Sequence, residues 1–202
     1  TAGLSVPTAA GALYEVDTRL RPSGADGPLS VSLDGFALYQ REDAWTWEHL
    51  ALVRARPVYG SEAGRAATQE VIAKTLLRDR DWAAFLSDAV TMRGEIAKAK
   101  PPKGALDVKL IEGGLVDLEF AVQVRQFRYP EAFDPRLANS IKALIAGGHA
   151  PETLAGDHAL LTRFLVTLRL VAPDLEDPAP ASKALIARAC CMESWEQLLE
   201  EY

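Results

Sequence analysis

The chain has 202 residues, of which 49% are hydrophobic and 25% charged, and its formal net charge is −6. That balance describes a globular chain of one large domain or a domain and a half. It excludes a general nucleic-acid binder, because an anion site on so acidic a protein has to be local.

No stretch approaches the roughly 18 consecutive apolar residues of a membrane span, and Thr1 to Ala10 lack the charge and apolar core of a signal peptide. The only two cysteines, Cys190 and Cys191, are adjacent. Sequence neighbours do not form an ordinary disulfide, and two ligands alone do not make a zinc site. A soluble, reduced, cytoplasmic protein without a membrane partner is expected.

The first element reads as a strand. In Leu13–Gly24, Tyr14, Val16, Thr18 and Leu20 point one way, and Glu15, Asp17, Arg19 and Arg21 the other. Pro22 and Gly24 end it. A carboxylate beside guanidiniums on one face suits a metal–polyphosphate site; equally, the Asp and Arg side chains could pair with each other on a solvated face. Leu29–Leu33 alternates well enough to be a second short strand. Ser32 is placed to cap a helix carrying Phe36, Leu38 and Tyr39.

Ala44–Arg56 reads as the next helix, ended by Pro57. Glu48, Leu52 and Arg56 share one side of it, and Arg54 follows Trp47 and Leu50 on another. Arginines on partly apolar faces need anions, supplied by Glu48, Asp17 or a ligand phosphate. His49 reads as structural, and of Trp45 and Trp47 one is expected to face outward.

Amphipathic helices follow over Ala63–Leu77 and Asp81–Lys100, with an exposed basic connection at Lys98, Lys100 and Lys103. After Gly113–Gly114, an apolar helix carries Asp117 and Glu119, which need partners if they are buried. Helices are also expected at Asp134–Ala146 and Pro151–Val171, and a single last helix, bearing both cysteines, at Ser182–Leu199.

Three segments carry a resemblance. Tyr14-Glu-Val-Asp17-Thr-Arg19-Leu-Arg21-Pro22-Ser-Gly24 is the first. Ala44-Trp45-Thr-Trp47-Glu48-His49-Leu-Ala-Leu-Val-Arg54-Ala-Arg56 is the second. Asp107-Val-Lys109 with Gly113-Gly114-Leu-Val-Asp117-Leu-Glu119-Phe120 is the third. In this order they resemble the bifunctional glutamine synthetase adenylyltransferase family, from about Gly11 onward.

The resemblance implies polymerase-beta-type nucleotidyltransferase domains, each followed by a helical bundle. The expected fold is therefore mainly α, with a short β remnant of such a domain over 1–60 and an up-and-down bundle over 61–202. It also implies transfer of AMP from ATP to a tyrosine of glutamine synthetase, with PII-type proteins and glutamine as regulators. The Ala-Trp-Thr-Trp-Glu-His wording resembles the C-terminal, adenylylating copy.

The family's Gly-Ser pair with two alternating aspartates is not found. Asp79-Arg-Asp81 lacks the preceding Gly-Ser, and Asp117-x-Glu119 follows a Gly pair but sits in a helical pattern, where residues two apart diverge. The chain is thus expected to be a fragment, inactive alone. Within it the resemblance makes Asp17 the catalytic, Mg²⁺-binding carboxylate. Arg19 and Arg21 become candidates for the ATP phosphates, and Arg54 and Arg56 further ones. Two other readings stay open, a deadenylylating copy and a non-catalytic helical module that docks glutamine synthetase or a PII protein.

Overall fold

The computed structural model describes residues 6–9, 11 and 21–202. Most of the strand expected over Leu13–Gly24, with Asp17 and Arg19, lies outside these residues. Among the described residues there are nine α-helices and no sheet, only an isolated antiparallel bridge between Thr8 and Gly11. They are α1 (Leu33–Glu42), α2 (Thr46–Leu52), α3 (Glu62–Leu76), α4 (Trp82–Ala99), α5 (Leu115–Arg128), α6 (Leu137–Ala146), α7 (Leu154–Val171), α8 (Pro180–Ala189) and α9 (Trp195–Glu201).

Local chemistry explains most of the helix starts. Ser32 and Ser61 accept from the amides of Gly35 and Gly64, and Asp81 accepts from Ala83 and Ala84, each answering amides that a helix start leaves open. At α5 the cap is backbone instead. Gly113 turns at φ 78, and the amides of Leu115 and Val116 donate to the carbonyls of Val108 and Lys109. The glycine pair therefore folds the Asp107–Lys109 segment over the helix start.

Four sequence expectations are corrected. Leu29–Leu33 forms no strand: Leu33 already belongs to α1, because Ser32 is spent as its cap. The helix expected over Ala44–Arg56 is only seven residues long, since Arg54 and Ala55 close i→i+3 bonds to Ala51 and Leu52 and turn the chain out of the helix. The helix expected from Asp134 starts at Leu137, because the Asp134 carboxylate takes the Arg136 amide and the Asn139 side chain. The last helix is broken in two around Cys191, which sits at φ 63. Cys190 is buried, Cys191 is exposed, and both are free thiols.

The main core joins α5 through α9, each helix packing on the next. Phe164, fully buried, stands at its centre with Trp195 and Tyr202 edge-on at 6.0 and 5.0 Å. Two smaller clusters hold the N-terminal helices. Leu52 and Val53 meet Ile72 and Leu76, while Leu50 meets Phe85 and Ala89, and Phe127 of α5 borders both. Each fully buried side chain of this kind contributes about 1.5–3 kcal/mol. Packing thus runs without interruption from α1 onto α3, and from α2 onto α3, α4 and α5. No helix among the described residues is long and apolar enough to cross a membrane.

Candidate functional site

The arginine-bearing corner is built where α1 meets α2. Glu48, nearly buried, accepts from the amide of Trp45 at 2.9 Å and from the Tyr39 hydroxyl at 2.8 Å. It caps the short α2 and ties it to α1. Burial, and after it the hydrogen bond to Glu48, raises the pKa of Tyr39 above its ordinary value, so the phenol stays a donor. Glu48 is therefore not the anion for Arg56, which makes no ion pair among the described residues and is exposed. Arg21 is half-buried, its Nε donating to the Gly27 carbonyl at 3.3 Å.

Arg54 turns instead toward α5, with Nη1 3.7 Å from Glu119 Oε2. His158 of α7 lies within the field of the same carboxylate, although burial outweighs it and lowers the histidine's pKa. Two residues back, Asp117 faces another way. Its Oδ1 takes Arg93 Nε of α4, and its Oδ2 takes the Gly113 amide at 2.8 Å. Asp117 and Glu119 are each half-buried and paired in different directions, Asp117 with α4 and Glu119 with the turn that follows α2, as residues two apart on one helix diverge. That divergence does not fit a shared metal ion. No cluster of three or more His, Cys, Asp or Glu that could hold a metal exists among the described residues.

His49 is structural, as its position implied. It is 2% exposed and its Nε2–H donates to the Gln40 carbonyl at 3.1 Å. Burial is the main reason that its pKa falls to about 4. Trp45 faces outward, 72% exposed, while Trp47 is half-buried. The structure brings Arg54 to Glu119 of α5, leaves Arg56 outside that pair, and does not describe Asp17 or Arg19. Sequence reasoning passed over Arg93 and His158, whose partners are distant in the chain, and gave Tyr39 no polar role. It also passed over Arg78 and Arg80, which the dense Arg78-Asp-Arg80-Asp81 run could have flagged.

These features define a helical chain whose arginine-bearing corner meets a carboxylate of its later helices, and comparison with known proteins says which kind. Residues 1–71 match the family model described as glutamate-ammonia ligase adenylyltransferase. Over its whole length the chain is similar to the bifunctional glutamine synthetase adenylyltransferase/adenylyl-removing enzyme of Brucella suis biovar 1 (strain 1330), 40% identical over 215 residues. The enzyme of the same description from Rhizobium meliloti (strain 1021) is 43% identical over 199 residues, 94% of this chain. The chain is thus similar along its length to a segment of enzymes described as glutamine synthetase adenylyltransferases. It spans 22% of the length of the first of these relatives and 20% of the second.

Proposed function

We propose that the chain is the distal part of an adenylyltransferase catalytic domain together with its helical bundle, working in the cytoplasm within an enzyme that modifies glutamine synthetase. The observation that carries this reading is the alignment along the full chain with relatives of that name. In the reaction a tyrosine hydroxyl oxygen attacks the α-phosphorus of ATP. One P–O bond forms, the α–β P–O bond breaks, pyrophosphate leaves, and the phenolic proton is lost.

In this reading Asp17 is a metal carboxylate, and bound Mg²⁺ would supply charge neutralisation at the phosphates. Arg19 and Arg21 bind phosphate oxygens, with Arg54 and Arg56 at the margin. Residues 1–60 belong to the catalytic domain and 61–202 to the bundle. The Ala44–His49 wording favours the C-terminal, adenylylating copy, regulated by a PII-type protein and glutamine. One carboxylate does not hold a two-metal pair, so the isolated chain is expected not to adenylylate glutamine synthetase with Mg-ATP.

The test is Asp17→Asn in a full-length enzyme carrying this segment. AMP transfer to glutamine synthetase should be lost with little change in the thermal midpoint. Retained transfer with a large drop in the midpoint would make Asp17 structural and end the assignment.

A further inference from the structure

The end of α1, the start of α2 and the α3–α4 connection meet around a cleft of about 450 Å³. Arg78 and Arg80, both from that connection, form part of its wall. Arg78 is exposed, and its Nη1 donates to the carbonyls of Gln40 and Arg41 at 3.1 Å each. Arg80 lies deeper. Its guanidinium carbon stands 4.8 Å from the Phe127 ring centre and 5.7 Å from that of Phe85, and Nη2 donates to the Thr75 carbonyl at 2.6 Å. Its Nε and Nη1 are shut from solvent with no hydrogen-bond partner, and no carboxylate pairs with either arginine among the described residues.

A desolvated guanidinium with two unanswered donors is costly to keep, and native proteins rarely keep one without use. The surrounding field agrees with the geometry. Burial and then Arg78 push the pKa of Arg80 down to about 10, so it stays charged at neutral pH. The same two arginines add to the lowering of His49 on the cleft wall. The carboxylates at the cleft are otherwise engaged or peripheral. Asp81 caps α4, Asp88 accepts from the Thr46 hydroxyl at 2.7 Å, and Asp79 is exposed.

We propose that this cleft binds a phosphate-sized dianionic oxyanion, held by direct contact with Arg78 and by the charge of Arg80 behind it. Two guanidiniums side by side, with no carboxylate in ion-pair contact, suit a dianion better than a single carboxylate, although Asp79, Asp81 and Asp88 also line the cleft. The site stands on its own geometry and does not depend on the adenylyltransferase reading.

The intact chain is titrated with sodium phosphate and, separately, with glycerol 3-phosphate, against sodium chloride at equal ionic strength. Thermal midpoint and calorimetric affinity are read. Saturable stabilisation by phosphate assigns a free anion; a response to glycerol 3-phosphate alone assigns a phosphate ester. Arg78→Gln should weaken binding by about tenfold or more. Arg80→Met, which keeps apolar contact with Phe127 but removes the charge and the bond to the Thr75 carbonyl, should still fold, as circular dichroism would show, and lose the response. Asp79→Asn, which removes a negative charge from the wall, should tighten binding. No stabilisation beyond chloride by either ligand overturns the proposal, as does an undiminished response in Arg78→Gln and Arg80→Met.

Discussion

His49 offers the sharpest test of how the α1–α2 corner is held. It donates to the Gln40 carbonyl from inside the fold, with Arg78 and Arg80 as charged neighbours on the adjoining α3–α4 connection. Burial, opposed by the Gln40 carbonyl and reinforced by the two guanidiniums, lowers its pKa from 6.5 to about 4. At about 1.4 kcal/mol per pKa unit, that shift is worth about 3 kcal/mol. Between those two pH values the unfolded chain binds the proton and the folded chain does not, so folding stability rises with pH across the window. The contribution is complete above the unfolded value, is lost progressively as pH falls toward about 4, and changes no further below it. Carboxylates titrate in the same range, so the informative quantity is the difference between the parent and His49→Gln, which keeps an N–H donor but does not titrate. Urea unfolding followed by circular dichroism from pH 4 to 7 should show the parent losing up to about 3 kcal/mol more than the variant. Parallel stability curves would refute the account of His49 as a buried neutral donor.

Two further substitutions separate well-held groups from loosely held ones. Asp117→Ala strips Arg93 and the Gly113 amide of their acceptor and should cost about 2–4 kcal/mol in chemical denaturation, whereas Glu119→Ala releases only the long contact to the exposed Arg54 and should cost about 1 kcal/mol or less. Equal losses would contradict the pairing. Phe164→Ala empties the centre of the α5–α9 core and should cost about 3–5 kcal/mol, lowering the thermal midpoint by many degrees; a loss below about 1 kcal/mol would mean the bundle repacks around the gap.

What the sequence made legible was mostly local. Ser32 and Asp81 announce helix starts because a capping side chain acts within three residues, and the Gly113–Gly114 pair announces a turn. The break in the last helix was missed because no glycine or proline marks it: Cys191 takes the left-handed conformation instead. A signal was nonetheless present. Ser194 and Gln197 have capping spacing, the Ser194 side chain accepting from the Gln197 amide while the Gln197 side chain accepts from the Glu193 amide. The alternation in Leu29–Leu33 misled because period two says only which faces could be buried, and a neighbouring cap residue decided the local structure. Long-range pairs were out of reach. Nothing near Arg54 names Glu119, and the choice of Glu48 as a cap rather than an ion-pair partner depends on where Tyr39 falls after α1 folds back.

The charged corner and the bundle are joined through one helix, and that gives the motif after Gly113–Gly114 its physical meaning. One run of α5 holds Arg93 of α4 through Asp117, approaches Arg54 through Glu119, and packs Phe120 and Phe127 beneath α2 and α4. Farther along, Gln126, 1% exposed, donates to the Ala132 carbonyl at 3.1 Å and to the Ser140 hydroxyl at 2.8 Å, fixing the turn into α6. A shift of α5 would therefore move the turn after α2, where Arg54 stands, together with the aromatic ring under Arg80. If Arg54 meets ATP phosphates, its position is set less by its own short helix, whose last turn is already unwinding, than by a carboxylate and an aromatic layer on the bundle. The bundle then supports the arginine corner, and the two carboxylates set among Leu115, Val116, Leu118 and Phe120 in the first turns of α5 make that connection.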